Sequence, residues 1–169
     1  MDLLIIRHAV AGDREAFAKT GKRDDLRPIT EEGTRKMLRS AQALRRIVGH
    51  IDYLATSPLV RARQTAQIVA DEFGVQVNEK TDVLSPDAKS TQFAQWLDQH
   101  RSRDVVAVVG HEPHLSTLVT WLVSGVDESR IELGKGGACL LSLDGRPRKG
   151  CARLRWLLAP RQLRSLGSA

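Results

Sequence analysis

Residues 3–9 read LLIIRHA, so that four apolar residues lead directly to Arg7 and His8. An apolar run of this kind predicts a strand buried inside a sheet. Open α/β sheets bind their ligands at the carboxyl ends of the strands. We therefore expect Arg7 and His8 to stand at the edge of a binding crevice.

Apolar runs alternate with amphipathic segments along the rest of the chain, which predicts βα units around a mainly parallel sheet. Strands are predicted at residues 2–7, 52–56, 75–77 and 104–109, with an antiparallel hairpin at 138–143 and 152–158. Helices are predicted at 30–48, 58–73, 90–100 and 113–124, while 11–27 is expected to lack regular structure. The prediction is an α/β fold: one domain over residues 1–169, with helices on both faces of the sheet and residues 161–169 as a loose tail.

Three local features add detail to the predicted helices. Thr30 is expected to open the first predicted helix. Ser57 is expected to cap the second, with Pro58 suited to its first helical position. Leu38 is expected on the inward face of its helix. Gly33 lies in the first turn of that helix, either because another part of the backbone approaches closely there or simply as a surface glycine.

Composition indicates an ordinary globular protein. Apolar residues make up 41% and charged residues 27% of the 169 residues, and no apolar run is long enough to span a bilayer. The start of the chain has no basic segment before its apolar run, so we expect no signal peptide and a cytoplasmic location. Cys139 and Cys151 are predicted to be free, partly buried thiols rather than a bridge.

The net charge of +6 raises the question of nucleic-acid binding. The basic residues are scattered along predicted helix faces and the C-terminal segment, and aromatic residues make up only 4% of the chain, so few rings could stack on bases. We therefore predict a solvated basic surface without nucleic acid. Such a surface would equally attract an acidic protein.

Two further segments supply candidate site residues: SPLVRA at 57–62 and VVGHEP at 108–113. If the strands at 2–7 and 104–109 are parallel neighbours, His8 and His111 face each other across one crevice. Arg61 lies in the first turn of its helix, and side chains there lean back toward the helix N-terminus. Two arginines, two imidazoles and free helix N–H groups favour an anion site.

Other catalytic patterns are absent from the sequence. The histidines of His111-Glu112-Pro113-His114 are spaced unlike those of zinc proteases, and Gly134-Lys135-Gly136-Gly137 lacks the spacing of a phosphate-binding loop. No serine-nucleophile elbow occurs, and the two cysteines lack metal-ligand spacing.

Together, RHA at 7–9, SPLVRARQTA at 57–66 and GHEP at 110–113 resemble the three signatures of the histidine phosphatase (phosphoglycerate-mutase-like) superfamily. The short chain and RPITEEG at 27–33 resemble its SixA-type phosphohistidine phosphatases. The resemblance implies a phosphoglycerate-mutase-like fold. It also implies that His8 is a transiently phosphorylated nucleophile, that Arg7 and Arg61 bind the phosphoryl oxygens, and that His111 donates a hydrogen bond to them.

Physical chemistry agrees with these roles. Phosphoryl transfer needs an in-line nucleophile and fixed donors around three equatorial oxygens, and arginine supplies such donors at any working pH. His8 must be neutral to attack, so we expect a backbone carbonyl or similar acceptor to hold its other ring N–H. This chemistry requires no metal and no cofactor.

The chain departs from the superfamily pattern at two places. Ala9 replaces the usual glycine after the nucleophile, which alanine is small enough to do. The stretch 83–87 lacks the glutamate with which esterase and mutase members protonate the leaving oxygen, and Asp87 is its only carboxylate. Asp87, Arg27 and Glu112 are therefore candidates for an acid or for support of the pocket.

The missing glutamate favours a P–N substrate, because an alkoxide gains about 10²–10⁴-fold from general acid catalysis, whereas an imidazole leaves with far less help. The resulting hypothesis is a phosphatase for a histidine-phosphorylated protein (a phosphotransfer domain or phosphocarrier), releasing phosphate away from any membrane. A small phosphomonoesterase of the same superfamily, with Asp87 as its acid, and a non-catalytic phosphate-binding module are the alternatives.

Overall fold

One sheet of six strands, flanked by six α-helices, makes up residues 1–167, the part of the chain that this computed structural model describes. The strands are β1 (Asp2–Arg7), β2 (Tyr53–Thr56), β3 (Glu79–Lys80), β4 (Val105–Gly110), β5 (Ala138–Leu143) and β6 (Ala152–Leu158). The helices are α1 (Arg14–Ala18), α2 (Glu31–Val48), α3 (Val60–Phe73), α4 (Ser90–Asp98), α5 (His114–Ser124) and α6 (Pro160–Gly167).

The strand order is β3-β2-β4-β1-β5-β6, in which the first four are parallel and β5 and β6 form an antiparallel hairpin. This arrangement confirms the predicted mainly parallel sheet with a C-terminal hairpin. Parallel β1 and β4 are neighbours near its centre, with Arg7 level with Gly110. The amide of His8 donates to the Gly110 carbonyl at 3.0 Å, so His8 and the residue after Gly110 leave the sheet side by side.

Both faces of the sheet are covered. The core on one face includes Leu3 and Ile5 of β1 with α4 and α5; the core on the other includes Leu4 and Ile6 with α2, α3 and α6. All four of these side chains are fully buried. Burial of each such side chain stabilises the fold by roughly 1.5–3 kcal/mol relative to exposure. Packing on both faces therefore fixes the position of β1.

Helix α2 begins and ends as expected. Thr30 caps it by accepting from the Gly33 amide at 2.9 Å, and Gly49 ends it with φ of +88°. A Cβ on Gly33 would collide with the carbonyl oxygen of Val10, which confirms the predicted close backbone approach. Leu38 is 42% exposed, so its predicted place on the inward face is wrong; Met37 beside it takes that place.

The third strand lies at Glu79–Lys80 rather than at 75–77 as predicted. Asn78 explains the shift: its amide donates to the Leu54 carbonyl and its side-chain oxygen accepts from the Leu54 amide, both at 2.8 Å. A side chain thus replaces the first rung of the ladder, and regular pairing starts only at Glu79.

The segment 11–27 is more regular than predicted. Asp13 caps the short helix α1 by accepting from the Ala16 amide at 2.8 Å, and a 3₁₀ turn follows at Asp24–Leu26. The two ends of the segment are also joined, because the Gly12 amide donates to the Pro28 carbonyl at 3.1 Å. The segment therefore forms an ordered arm beside the strand ends.

The predicted loose tail is helical over the part that the structure describes. Residues 161–167 belong to α6, whose Leu163 is fully buried against α2, and Arg46 of α2 donates to the Leu166 carbonyl at 3.1 Å. One apolar side chain on a short basic helix suffices to dock it. Ser168 and Ala169 lie outside the described residues.

Cys139 and Cys151 are free, as predicted. Cys139 lies opposite Leu157 in the hairpin, and the register shifts by one residue between Leu140 and Leu141. Across the described part of the chain, no helix has the length and apolar character to cross a membrane.

Candidate active site

The two histidines predicted to face each other do so. The ring centroids of His8 and His111 are 5.0 Å apart with the planes tilted by 50°, and the residues are only 6% and 2% exposed. Arg7 precedes His8 at the end of β1, and the buried Arg61 lies in the first turn of α3. Four residues from three separate segments therefore meet at the carboxyl edge of the sheet.

His8 has a defined tautomer. Its Nδ1–H donates to the carbonyl of Ala9 at 2.7 Å, which is the type of acceptor expected from the sequence. The unprotonated Nε2 is left as the nucleophilic atom. Burial lowers the pKa of His8 to about 4; the Ala9 carbonyl opposes this effect, and the charges of Arg61 and Arg7 add to it. His8 is therefore neutral at physiological pH.

In each arginine, one terminal guanidinium nitrogen donates to a backbone carbonyl, and other nitrogens remain available to a ligand. Arg7 donates from one terminal nitrogen to the Leu133 carbonyl at 2.7 Å, and Arg61 donates to the Asp24 carbonyl at 2.9 Å. Burial lowers the pKa of both guanidinium groups, while Glu112 raises that of Arg7 and Asp24 raises that of Arg61. Both remain cations, because an arginine keeps its proton in proteins.

His111 is held by a residue whose role the sequence did not reveal. Its Nε2 lies 2.8 Å from the hydroxyl oxygen of Ser57. The prediction that Ser57 caps α3 is wrong: the helix starts at Val60 with Leu59 in the cap position, and the Leu59 amide is 3.4 Å from the Ser57 oxygen. Burial, followed by the neighbouring His8 and Arg61, lowers the pKa of His111 to about 3.

Unsatisfied nitrogens gather at this crevice. In residues 1–167, the buried side-chain polar atoms without a hydrogen-bond partner are Nε of Arg7, Nε of Arg61, Nδ1 of His111 and both ring nitrogens of His114. Leaving a buried polar group unpaired costs roughly 1–3 kcal/mol. Three of these four residues are the predicted oxyanion ligands, so a bound oxyanion would satisfy donors that the protein leaves unpaired.

Thr65 links two segments of the site, and its role was not predicted from the sequence. Its hydroxyl accepts from the Ala9 amide at 3.0 Å and donates to the Arg61 carbonyl at 2.7 Å. It thereby connects the residue that holds His8 to the helical turn that carries Arg61. The only sequence signal was its place in the SPLVRARQTA segment, one helical turn after Arg61.

Arg27 acts through Asp24, a second residue that the sequence analysis missed. Arg27 donates to the Asp24 carboxylate and to the Gly12 carbonyl, both at 2.8 Å, and the same carboxylate lies 3.2 Å from the Arg61 guanidinium. The hydrogen bond from Arg27 lowers the pKa of Asp24, and Arg61 adds to this effect. Asp24 thus anchors Arg61 from the ordered arm.

The two other candidate carboxylates have different surroundings. Glu112 accepts from the Ser116 amide at 3.1 Å and so helps to cap α5. Asp87 lies in the loop before α4, is exposed, and forms no hydrogen bond or ion pair with another described residue. Within residues 1–167, the one trio of side chains spaced for a metal ion is His50, Asp52 and Asp104, exposed at the opposite end of the sheet.

Comparisons with known proteins agree with this site. Residues 3–84, which include Arg7, His8 and Arg61, match the model of the histidine phosphatase superfamily (branch 1). An uncharacterized protein of Picosynechococcus sp. (strain PCC 7002) is 31% identical over 159 residues, covering 91% of this chain and 88% of that protein.

Solved structures share the fold. The protein histidine phosphatase SixA, complexed with tungstate, superposes with a TM-score of 0.82 at 24% identity, over 96% of this chain and 99% of that one. An alpha-ribazole phosphatase from Shigella flexneri superposes with a TM-score of 0.75 at 17% identity, over 95% of this chain and 97% of that one. The structures share the fold, and the match of residues 3–84 to the family model leads to one conclusion: this chain belongs to the histidine phosphatase superfamily.

Proposed function

We propose that this chain is a SixA-type phosphohistidine phosphatase, which hydrolyses the P–N bond of a histidine-phosphorylated protein through a phospho-His8 intermediate. The observation that carries the proposal is the tautomer of His8. Its Nδ1–H is held by the Ala9 carbonyl, its Nε2 is unprotonated, and the ring centroid of His111 lies 5.0 Å from that of His8.

In the first step, Nε2 of His8 attacks phosphorus and the bond from phosphorus to the substrate imidazole breaks. The leaving nitrogen keeps the bonding electron pair and takes a proton from solvent. In the second step, water attacks phospho-His8, which releases inorganic phosphate and restores the neutral ring. The transferred group carries its charge on equatorial oxygens, so fixed cationic donors lower the barrier of both steps.

Each ligand has a role that its contacts support. Arg7 and Arg61 are anchored at one terminal nitrogen each, which orients the rest of the guanidinium toward an oxyanion. If the Ser57 hydroxyl donates to Nε2 of His111, then Nδ1 of that ring carries the proton and can donate to a phosphoryl oxygen. An anion bound there also favours a second proton on His111.

The surroundings of the crevice support a P–N rather than a P–O substrate. Glu112 accepts a hydrogen bond from the Ser116 amide, and Asp87 is exposed, without a partner among the residues that the structure describes. Without a buried acid, an ester substrate would lose the roughly 10²–10⁴-fold that protonation of its leaving oxygen supplies. A phosphohistidine substrate avoids most of this loss.

Basic side chains at the rim of the site support a protein substrate. Arg14 lies 3.7 Å from Asp24, and Lys135 is close enough to lower the pKa of His8, so positive charge extends outward from the crevice. The substrate we propose is a phosphotransfer domain or a phosphocarrier protein of a signalling system. Two free thiols are consistent with a cytoplasmic location.

A second candidate is a small phosphomonoesterase of the same superfamily. Its support is the position of Asp87, which follows the third strand in the region where the esterase members carry their acid. The fold shared with an alpha-ribazole phosphatase is consistent with it.

The deciding experiment compares steady-state kcat/KM on a histidine-phosphorylated carrier protein, on aryl phosphates and on sugar phosphates, for the wild type and for Asp87→Asn. We expect the phosphoprotein to be preferred and Asp87→Asn to change its turnover little. Preference for esters that depends on Asp87 would establish the phosphomonoesterase instead. Rapid quenching at alkaline pH should trap phosphate on His8, and unchanged phosphatase activity in His8→Ala would show that His8 is not the nucleophile. Phosphate binding without turnover of any of the three substrate classes would leave only a binding module.

A further inference from the structure

A second basic cavity lies beside the active site. It has a volume of about 170 Å³ and opens between α2, α6 and the two chain segments that follow β1 and precede β5. It is lined by Ala9, Val10, Gly33, Lys36, Met37, Ser40, Lys135, Gly136, Pro160 and Arg164. Neither His8 nor any of the three proposed phosphoryl ligands, Arg7, Arg61 and His111, is in this set.

The charged residues that line the cavity are all basic. Lys36, Lys135 and Arg164 line it, and none of its lining residues is acidic. The carboxylate that pairs with Lys36 is that of Glu32, one turn earlier on the exposed face of α2. Exposed pairs of this kind are weak, so Lys36 can exchange Glu32 for an anion in the cavity.

A buried hydroxyl faces the same space. Ser40 is only 1% exposed and lines the cavity. Because its hydroxyl borders the cavity, it can donate a hydrogen bond to a group bound there. Cations together with a hydroxyl donor match the ligands that proteins use for phosphate and sulfate.

The cavity wall is continuous with the frame of the active site. The Gly136 amide donates to the carbonyls of Arg7 and His8 at 3.2 and 3.1 Å, and Ala9 holds the His8 ring. An anion in the cavity would also reduce the field of Lys135, which lowers the pKa of His8. An anion bound in the cavity would thus change the electrostatic surroundings of His8 without touching it.

We propose that this cavity binds a small oxyanion of the size of inorganic phosphate, separately from the crevice at His8. Its volume is several times the roughly 30 Å³ that one water molecule occupies in the liquid, so it holds a tetrahedral oxyanion with its remaining hydration. The site does not depend on the proposed phosphatase reaction.

The test is a titration of the ¹⁵N-labelled protein with inorganic phosphate, followed by the amide resonances of Val10, Ser40 and Gly136. It is performed in an Arg61→Ala background, which weakens binding at the crevice. We expect these amides to shift in a saturable manner, and Lys36→Met with Lys135→Met to weaken this binding about tenfold or more.

The matched control is Lys80→Met with Lys149→Met, which removes the same charge from exposed positions away from the cavity and should leave the affinity within about twofold. The proposal is overturned if the three amides do not shift in a saturable manner in the Arg61→Ala protein. It is equally overturned if both double variants weaken binding to the same extent. Ser40→Ala, which keeps every cation, should weaken binding by a smaller factor.

Discussion

The Ser57 hydroxyl oxygen lies 2.8 Å from Nε2 of His111, at the opposite side of the ring from a buried Nδ1 that has no partner in the described chain. The hydroxyl therefore holds one ring nitrogen while the other remains available to a ligand. Because His111 is neutral at physiological pH, the direction of this hydrogen bond decides which nitrogen carries the proton.

Ser57→Ala should weaken oxyanion binding and lower kcat/KM together. The His111 ring loses its anchor and the fixed position of its proton, which weakens its hydrogen bond to the oxyanion. A hydrogen bond to a charged group is worth roughly 1.5–3 kcal/mol, or about tenfold to a hundredfold in affinity. The inhibition constant of tungstate and the kinetics of phosphoprotein turnover measure the effect. Ser124→Ala, at an exposed serine of α5, is the control. Wild-type tungstate affinity in Ser57→Ala would refute this role of the hydroxyl.

The contact between Ser57 and His111 could not be predicted from the sequence, whereas the positions of the site residues at the strand ends could. The strand ends that place Arg7, His8 and His111 follow from apolar runs, which report local structure directly. A serine before a proline equally fits a helix cap, and nothing local indicates that an imidazole from another strand will take its hydroxyl.

The roles of Asp24 and Thr65 could not be predicted for the same reason, because their contacts are with distant parts of the chain. Asp24 reaches Arg61 from an arm expected to be irregular, and Thr65 bonds the chain 56 residues earlier. Both contacts exist only after β1, α3 and the arm have packed. The third strand was misplaced for a related reason, since a side chain of Asn78 replaced a backbone rung.

His8→Ala and Arg61→Ala should separate chemistry from binding. His8→Ala removes the nucleophile but leaves both arginines, so we expect no turnover and retained tungstate affinity. Arg61→Ala removes a fixed cation from a buried pocket and should lose both, with turnover reduced by about 10²-fold or more. Isothermal titration with tungstate and single-turnover assays provide the two readouts. An equal loss of tungstate affinity in both variants would contradict distinct roles.

Thr65→Val should impair the site while keeping its shape. The substitution removes an acceptor for the Ala9 amide and a donor to the Arg61 carbonyl, in a fully buried position. We expect a loss of roughly 1–3 kcal/mol in the free energy of unfolding, with a lower kcat as His8 loses its alignment. Thr65→Ser keeps the hydroxyl and should recover most of kcat. If Thr65→Ser and Thr65→Val have the same kcat, the hydroxyl does not position the nucleophile.

The pH profile should reflect the buried state of His8. Its pKa is about 4 rather than 6.5, and protonation of Nε2 abolishes attack, so kcat/KM should stay level as pH falls through 6.5 and decline only toward pH 4. Rapid assays with circular dichroism at each pH separate this decline from unfolding. A half-maximal value near 6.5 that tracks His8 would show that the ring is solvated as an ordinary histidine.

His114 should destabilise the fold, increasingly so in acid. The residue is 3% exposed, neither ring nitrogen has a hydrogen-bond partner within residues 1–167, and burial lowers its pKa to about 4. Above pH 6.5 the ring is neutral in folded and unfolded chains alike, and its unpaired nitrogens cost roughly 1–3 kcal/mol. Below pH 6.5 the unfolded chain gains a proton that the folded chain refuses, so stability falls further until pH 4 is reached.

His114→Leu removes both costs. We expect a free energy of unfolding in urea that is about 1 kcal/mol higher than that of the wild type at pH 7. The gain should grow by about 2 kcal/mol more at pH 5, since each pKa unit of displacement corresponds to about 1.4 kcal/mol. His50→Gln, which replaces an exposed histidine, should stay within about 0.5 kcal/mol of the wild type at pH 7. A His114→Leu protein less stable than the wild type at pH 5 would mean that the imidazole has a stabilising partner in solution.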